Sequence, residues 1–302
     1  MIVVFGSLAV DVVTNVAHIP HPGETVLCEG YALIPGSKGG NQALAAVRAG
    51  SKVSHVGTCG NDSFAPLATS IMRESGVDLT HLRTIDKPTA ICLISVDKNA
   101  ENAIVVAAGA NLETRLSQLE ACPFGAGDIL VLQREIPDSE TFGAITLAKT
   151  RGARVILNVA PAGPVPAEAL KALDILIVNE HEATVVAQAA GLSISDPEDA
   201  ILQISRNHGC SAIVTLGPEG AVGWHEGQRY AVAAPKVQAV DTTAAGDSFT
   251  GAFAAALDQG LSFETALRRG VVAGSICCTK AGAQPSIPWA KDIDALISRS
   301  GA

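Results

Sequence analysis

The sequence predicts an α/β fold in which a mainly parallel sheet carries helices on both faces. Three observations lead there. Short apolar, β-branched runs recur along the chain, each closed by turn residues. Alanine-rich stretches with helical spacing lie between most of them. The apolar residues, 48% of 302, are chiefly Ala, Val, Ile and Leu, with only 4% aromatic, which suits strands buried on both sides.

The strand runs are 2–5, 53–56, 129–132, 155–157, 175–178 and 213–216, and the helical stretches between them include 41–49, 64–74 and 180–190. Two stretches depart from the rhythm. Residues 10–34 hold Val12-Val13, a proline-rich turn from His18 to Gly23, and Thr25-Val26-Leu27-Cys28. Residues 89–106 hold apolar runs 90–96 and 103–106 around the polar Asp97-Lys98-Asn99-Ala100-Glu101-Asn102, the pattern of an antiparallel hairpin. Together they predict a small sheet beside the main layer, with strands within about 10–35 and 89–107. A sheet that small buries little alone, so it is expected to cover a site or pair with a second subunit. Beyond Gly246 the pattern is helical over 249–257, 263–278 and 290–297, interrupted by Pro285 and Pro288. No repeat or low-complexity linker divides the chain, which predicts one domain over 1–302.

A formal net charge of −9 disfavours a nucleic-acid partner. No apolar run approaches the ~20 residues of a membrane helix, and no basic leader precedes the opening strand, so no signal peptide is expected. Seven cysteines without a periodic framework predict reduced thiols and a cytoplasmic protein. The P-loop, the G-x-G-x-x-G turn and the G-x-S-x-G elbow are all missing.

The segment richest in chemistry is Asp241-Thr242-Thr243-Ala244-Ala245-Gly246-Asp247, which opens an apolar helix. Small residues let a ligand approach the backbone, and free N–H groups at a helix start attract an anion. A carboxylate in the same turn, Asp247, is what phosphoryl transfer to an alcohol needs as base. Read alone, Asp241 or Asp247 serves equally as a helix cap. Gly36-Ser37-Lys38-Gly39-Gly40-Asn41-Gln42-Ala43 offers an ammonium and an amide to a polyhydroxylated ligand, or is a glycine turn capped by Asn41. Asn179-Glu180-His181-Glu182 and Thr215-Leu216-Gly217-Pro218-Glu219-Gly220 fall at strand ends, where ligands of parallel sheets gather. Asp11, just past the first strand, reads sugar hydroxyls or a turn.

In that order these segments, with Gly6-Ser7, Pro22-Gly23-Glu24-Thr25 and Gly282-Ala283-Gln284-Pro285-Ser286, resemble the ribokinase-like carbohydrate kinase family, also called the phosphofructokinase B-type family. The resemblance runs nearly end to end, and the D-T-T-A-A-G-D string is its most specific part. It implies a three-layer α/β/α domain with a small β-sheet lid, and ATP-dependent phosphorylation of a sugar hydroxyl. Ribose is the first substrate implied, with 2-deoxyribose, another pentose or a nucleoside such as adenosine as alternatives. A non-catalytic sugar-binding regulator on the same fold is a rival of another class. Asp247 is implied as base, and Ala244, Ala245 and Gly246 as the anion hole. Asp11, Lys38, Gly39, Asn41 and Glu135 are implied as sugar contacts. Asn179, Glu182, Thr215, Gly217 and Gly220, with Gly246, are implied on the nucleotide and magnesium side. A potassium ion is implied beside Asp241, Thr243, Cys277, Lys280, Gly282 and Ser286, several of them through main-chain carbonyls. The exposed lid edges lead to an expected homodimer through the lid. Three residues depart from the family pattern. Ala9 stands for Asn, Ser37 for Gly, and Val271 for a His that packs on adenine. Ala9 cannot hydrogen-bond a hydroxyl, an interaction of about 1–3 kcal/mol.

Overall fold

The structure, a computed structural model, describes residues 1–99 and 101–300. Its strands are β1 (Ile2–Phe5), β2 (Ala9–Asn15), β3 (Tyr31–Gly36), β4 (Val53–Gly60), β5 (Leu82–Ile85), β6 (Ala90–Val96), β7 (Asn102–Ala107), β8 (Ile129–Leu132), β9 (Arg154–Asn158), β10 (Ile175–Asn179), β11 (Ser211–Thr215), β12 (Ala221–His225) and β13 (Gln228–Val232). Its α-helices are α1 (Lys38–Arg48), α2 (Phe64–Glu74), α3 (Leu116–Ala121), α4 (Asp138–Thr150), α5 (Ala167–Ala172), α6 (Glu180–Ala189), α7 (Pro197–His208), α8 (Ala245–Asp258), α9 (Phe263–Cys277), α10 (Ala283–Ser286) and α11 (Ala290–Ser300).

Nine strands form the large sheet, in the order β13-β12-β11-β10-β9-β8-β1-β4-β5. Pairing is parallel from β11 to β5, and β12 and β13 close one edge antiparallel. The period-2 alternation of strands sorts the side chains into two cores. Ile2, Val4, Ile129, Val131, Ile175, Ile177 and Ile213 pack on one face with α1, α2, α8, α9 and α11. Val3, Phe5, Leu130, Leu132, Leu176, Val178 and Val214 pack on the other with α3, α4, α5, α6 and α7. Strands β1, β8, β10 and β11 therefore carry apolar residues at consecutive positions, as the sequence predicts, whereas the equally buried β4 includes Ser54, His55 and Thr58.

The small sheet has the order β3-β2-β6-β7, with β2 and β6 parallel and both outer pairs antiparallel. The expected hairpin is β6–β7; position 100 of its tip lies outside the described residues. The other lid strands differ from the expectation in detail. Thr25-Val26-Leu27-Cys28 pairs with nothing, and Leu27 is 90% exposed. Its apolar residues found no neighbouring strand, and β3 begins at Tyr31 instead. The β12–β13 hairpin was not anticipated, although Glu226-Gly227 forms its two-residue turn with φ of 50° and 77°. Pro285 does not break structure but lies within α10.

One helix crossing on the first face positions everything that follows. Helices α1 and α8 approach so closely that a Cβ on Gly251 would stand 2.5 Å from the Cβ of Ala45 and 2.6 Å from the carbonyl oxygen of Gln42. The alanines of α1 and α8 make that approach possible. Gly251→Ala raises helix propensity by about 1 kcal/mol. The overlap it creates is expected to cost more, for a net loss of about 1–3 kcal/mol. Urea denaturation measures this, and a midpoint at or above that of the parent would show that the helices can part freely.

Candidate active site

The carboxyl ends of β1, β9, β10 and β11 and the tips of α1 and α8 meet on one side of the large sheet. Two cavities open there. The smaller, of about 220 Å³, is polar and is lined by Lys38, Asn158, Asn179, Glu182, Gly246 and Asp247 among others. The larger, of about 1060 Å³, is mainly apolar and lies between Gly217, Pro218, Val237, Phe249 and Val271. Asn179, Thr215, Thr242, Ala245 and Gly246 line both, so the tip of α8 is the seam between them.

Neither Asp241 nor Asp247 caps α8. Its N-cap is Ala244, held at φ 63° without a side-chain cap bond. The Ala245 N–H turns back to the Thr242 carbonyl at 3.2 Å. Those of Gly246 and Asp247 are first-turn donors with no carbonyl inside the helix. Asp247 is buried, and each of its oxygens accepts from α1. Asn41 Nδ2 donates to Oδ2 at 2.9 Å and Gln42 Nε2 donates to Oδ1 at 3.0 Å. Burial pushes its pKa up and Glu135 adds to that, against the pull of Lys38 and the two amides. Asn41 is thus inside α1 and not its cap, and its Oδ1 is a buried acceptor without a partner. Ser37 caps the helix, accepting from the Gly40 N–H at 3.1 Å and donating to the Ser7 carbonyl at 3.0 Å.

The other carboxylates gather around this pair. Glu135 Oε2 accepts from Ser7 Oγ at 2.6 Å and from the Lys38 N–H at 2.9 Å, at the start of α1. Gly39 lies against Ser7, where a Cβ would stand 2.6 Å from its backbone. Lys38 is held protonated: burial works against its charge, but Asp247, Glu135 and Glu182 outweigh it and raise the pKa. Asp11 on β2 lies against Gly36, where a Cβ would stand 2.4 Å from its carboxylate. Burial lifts Asp11 to about 6, opposed by the Cys92 thiol on the paired strand and aided by Glu135, Asp247 and Asp241.

Asn179 and Glu182 form a reciprocal capping box on α6, each backbone N–H bonded to the other side chain at 2.8 Å. Burial nevertheless raises the pKa of Glu182. Thr215 ends β11 beside them. Gly220 has φ 106°, and a Cβ there would stand 2.0 Å from the Val232 carbonyl, so only glycine fits.

The third group converges behind the α8 tip. Asp241 Oδ1 accepts from the Thr243 N–H and hydroxyl at 2.9 and 2.6 Å, and Oδ2 accepts from the Gly282 N–H at 2.8 Å. Burial raises its pKa, but these donors win and it is lowered. The Cys277 thiol lies 3.4 Å from the Thr243 carbonyl and 2.9 Å from Ser286 Oγ. Lys280 is exposed, and it joins the group through its backbone, donating to the Cys277 carbonyl at 3.3 Å.

The structure therefore brings Lys38, Asn179, Glu182, Thr215 and the 244–247 turn together around the small cavity, with Asn41 joined to it through Asp247. It sets Asp11, Gly39 and Glu135 on the lid side of Asp247, and Asp241, Thr243, Cys277, Gly282 and Ser286 behind it. Sequence reasoning missed Gln42, Asn158, Cys92 and Phe249. A glutamine on the alanine-rich face of α1 was the visible signal for Gln42. Nothing local marked Asn158, whose role comes from a neighbour 116 positions away.

Residues 1–290 match the pfkB family carbohydrate kinase profile. The chain is 37% identical over 291 residues to a ribokinase of Haemophilus influenzae, covering 94% of each protein. It superposes on the crystal structure of a ribokinase from Thermotoga maritima with a TM-score of 0.89 at 33% identity, covering 98% of this chain and 99% of that one. It superposes on an Arabidopsis thaliana ribokinase complexed with ribose and ATP with a TM-score of 0.87 at 31% identity, covering 98% of both.

The raised pKa of Asp11 makes it a stability liability. Below the unfolded value of 3.8 both states hold the proton; as pH rises through about 6 the folded state is forced to ionise in a buried place. That gap corresponds to about 3 kcal/mol of lost stability above pH ~6. Asp11→Asn is expected to be more stable than the parent in urea at pH 7.5, with the difference gone by about pH 4. Equal midpoints at both pH values would rule this out.

Proposed function

The chain belongs to the pfkB family of carbohydrate kinases, and from that premise we propose that it transfers the γ-phosphoryl group of ATP to the 5-hydroxyl of D-ribose, the whole chain acting as a single catalytic unit. The observation that carries this is Asp247: a buried carboxylate held by two amides in the first turn of α8, at the seam of a polar and an apolar cavity. The pair of cavities suits a triphosphate and a purine, and Val271 gives the purine an apolar wall.

In this reading the sugar lies between Asp11, Gly39, Asn41 and Glu135, and the free Oδ1 of Asn41 accepts from one of its hydroxyls. ATP lies along Asn179, Glu182, Thr215, Gly217 and Gly220. Asp247 takes the proton from the acceptor hydroxyl as its oxygen bonds to the γ-phosphorus and the bond to ADP breaks. The Ala244–Gly246 backbone meets the charge on the transferring group. Lys38 lines the phosphate cavity beside Asn179 and Glu182, so its ammonium serves the phosphates as well as the sugar.

Among the described residues no group of three His, Cys, Asp or Glu side chains could hold a metal ion. Magnesium is accordingly assigned to the ATP phosphates and water, with Glu182 and Asn179 nearby, where it would neutralise phosphate charge. The Asp241 and Gly282 segments suit a potassium ion. They are clamped to one another, and Arg48 fixes the second by donating to the carbonyls of Gln284 and Ile287 at 3.1 and 2.6 Å. Asp241, Ser286 and main-chain carbonyls near Thr243, Cys277, Lys280 and Gly282 would hold it, supplying positive charge behind the anion hole.

Ala9 favours a second acceptor. Its side chain is 2% exposed and carries no polar atom, where the family usually offers an amide. A sugar lacking one hydroxyl, 2-deoxyribose, loses less there than ribose. A homodimer through the lid is supported by one row of the small sheet: Leu33, Val12, Leu93 and Val105 are cross-strand neighbours on the face opposite Asp11, and Leu33, Leu93 and Val105 are 39%, 46% and 63% exposed. A cytoplasmic site is supported by seven free thiols.

Asp247→Asn is expected to bind sugar and nucleotide while losing about 10²–10⁴ in kcat, the usual span for a positioned base. ADP release measures it, and a variant that still turns over would take the base away. The same assay over ribose, 2-deoxyribose and adenosine, with and without potassium, is expected to give turnover on the pentoses and a rise with potassium. ADP release with none of them would favour a non-catalytic role.

A further inference from the structure

The two oxygens of Asp247 are held by amides that are themselves held differently. Gln42 Nε2 donates to Asp247 Oδ1 at 3.0 Å and to Asn158 Oδ1 at 3.1 Å. Asn158 Nδ2 donates in turn to the Ile177 carbonyl at 3.3 Å. Gln42 is completely buried, Asn158 is 7% exposed, and Gln42 Oε1 has no partner. Most of the buried face of α1 is alanine, leucine and glycine. A glutamine that leaves a buried acceptor unpaired there is not explained by packing.

The polarity of this chain is set from its far end. A primary amide can present either its oxygen or its nitrogen. The Ile177 carbonyl can only accept, so it turns Asn158 Nδ2 toward itself and leaves Asn158 Oδ1 facing Gln42. That oxygen can only accept from Gln42, so it turns Gln42 Nε2 outward, and the same nitrogen reaches Asp247. A carbonyl on β10 thereby decides that Asp247 Oδ1 meets a donor.

Resting on the reading of Asp247 as base, we propose that Gln42, oriented by Asn158, is a positioning residue that fixes the Asp247 carboxylate for catalysis. With Asn41 on Oδ2 and Gln42 on Oδ1, the carboxylate cannot rotate about its Cβ–Cγ bond without losing two hydrogen bonds. Both contacts donate and neither amide nitrogen accepts. A proton taken from the substrate hydroxyl therefore has no inward path and must leave by the cavity. Asn158, at the end of β9, and Ile177, on β10, tie this orientation to the strands that carry the phosphate cavity.

The test is a set of variants read by their kinetics. Gln42→Met removes the donor at similar volume, and Asn158→Ala removes the amide that orients it while also widening the small cavity that Asn158 lines. The charged and titratable groups facing Asp247 are Lys38 of α1, Glu135 after β8, Glu182 of α6, Asp11 of β2 and Cys277 of α9, and none is changed. Gln42→Met is expected to lower kcat about tenfold or more while the KM for sugar stays within about threefold, since the loss falls on alignment and not on binding. The acid limb of the kcat profile is expected to move up by about one pH unit, because a hydrogen bond to the ionised form is lost. Asn158→Ala should move both in the same direction by less, and the double variant should match Gln42→Met alone. An acid limb that stays in place in Asn158→Ala, or effects that multiply in the double variant, would overturn the proposal; Asn158→Ala carries this test even where Gln42→Met does not fold. Asp247→Asn, measured alongside, separates the two readings. If it turns over, both fall. If it is dead while Gln42→Met keeps the parent's kcat and acid limb, only the positioning falls.

Discussion

The site depends on the close crossing of α1 and α8. Gly251 and the facing alanines let two helix backbones approach until side chains of the first turn of one reach a carboxylate in the first turn of the other. The crossing brings Asn41 and Gln42 to Asp247 across 206 and 205 positions of sequence. The large sheet supplies the floor on which both helices lie, and the lid supplies Asp11 from above. A shift of either helix by the width of a methyl group would break both amide contacts while leaving every strand pair intact.

Electrostatics makes that crossing demanding. Asp11, Glu135, Glu182 and Asp247 are drawn together with Lys38 in a protein of net charge −9. Burial raises Asp11, Glu182 and Asp247, and each of these receives hydrogen bonds that resist protonation. A phosphate arriving here meets positive potential from Lys38 and from the N–H groups of the α8 tip, because the summed charge of the chain would repel it. The lysine opposes the protonation of Glu182 and Asp247 and at the same time lines the small cavity. The same ammonium cannot be traded for a neutral residue without raising Asp247 further.

Much of this was legible in the sequence, and the reasons are particular. Strands β1, β8 and β10 were readable because burial on both faces makes them aliphatic throughout. The 244–247 turn stood out because alanine and glycine precede an aspartate at a helix start, but that aspartate read equally as a cap, and only the fold puts Ala244 at the N-cap. The edge hairpin β12–β13 was overlooked because Gly223 and the polar Gln228-Arg229 interrupt its apolar pattern, although Glu226-Gly227 marked its turn. Asn41 looked like a cap because it follows three glycines. The cap is Ser37, since the helix begins earlier than glycine content implies. Gln42 and Asn158 act only through one another, and that pairing exists in the fold alone.

Ser37 shows how the chain trades ease of backbone for rigidity at this site. Its φ of 86° belongs to the region that glycine enters freely, and the family usually has glycine there. A serine in that conformation is strained by about 1–3 kcal/mol. Its hydroxyl returns part of this by capping α1 and by bonding the Ser7 carbonyl, contacts glycine cannot make. Ser7 in turn holds Glu135 and the Gly39 N–H. Ala244 at the other helix tip also has a positive φ, 63°, but with ψ 8° it lies in the left-handed helical region, and it has no side-chain cap bond. The two strained residues thus stand at the starts of the two helices whose side chains meet at Asp247. Strain at one end is offset by the hydrogen bonds of the Ser37 hydroxyl, which tie α1 to Ser7 and through it to Glu135. At the other the N–H groups of Gly246 and Asp247 are left without a carbonyl inside the helix, which is the condition for an anion to bind there.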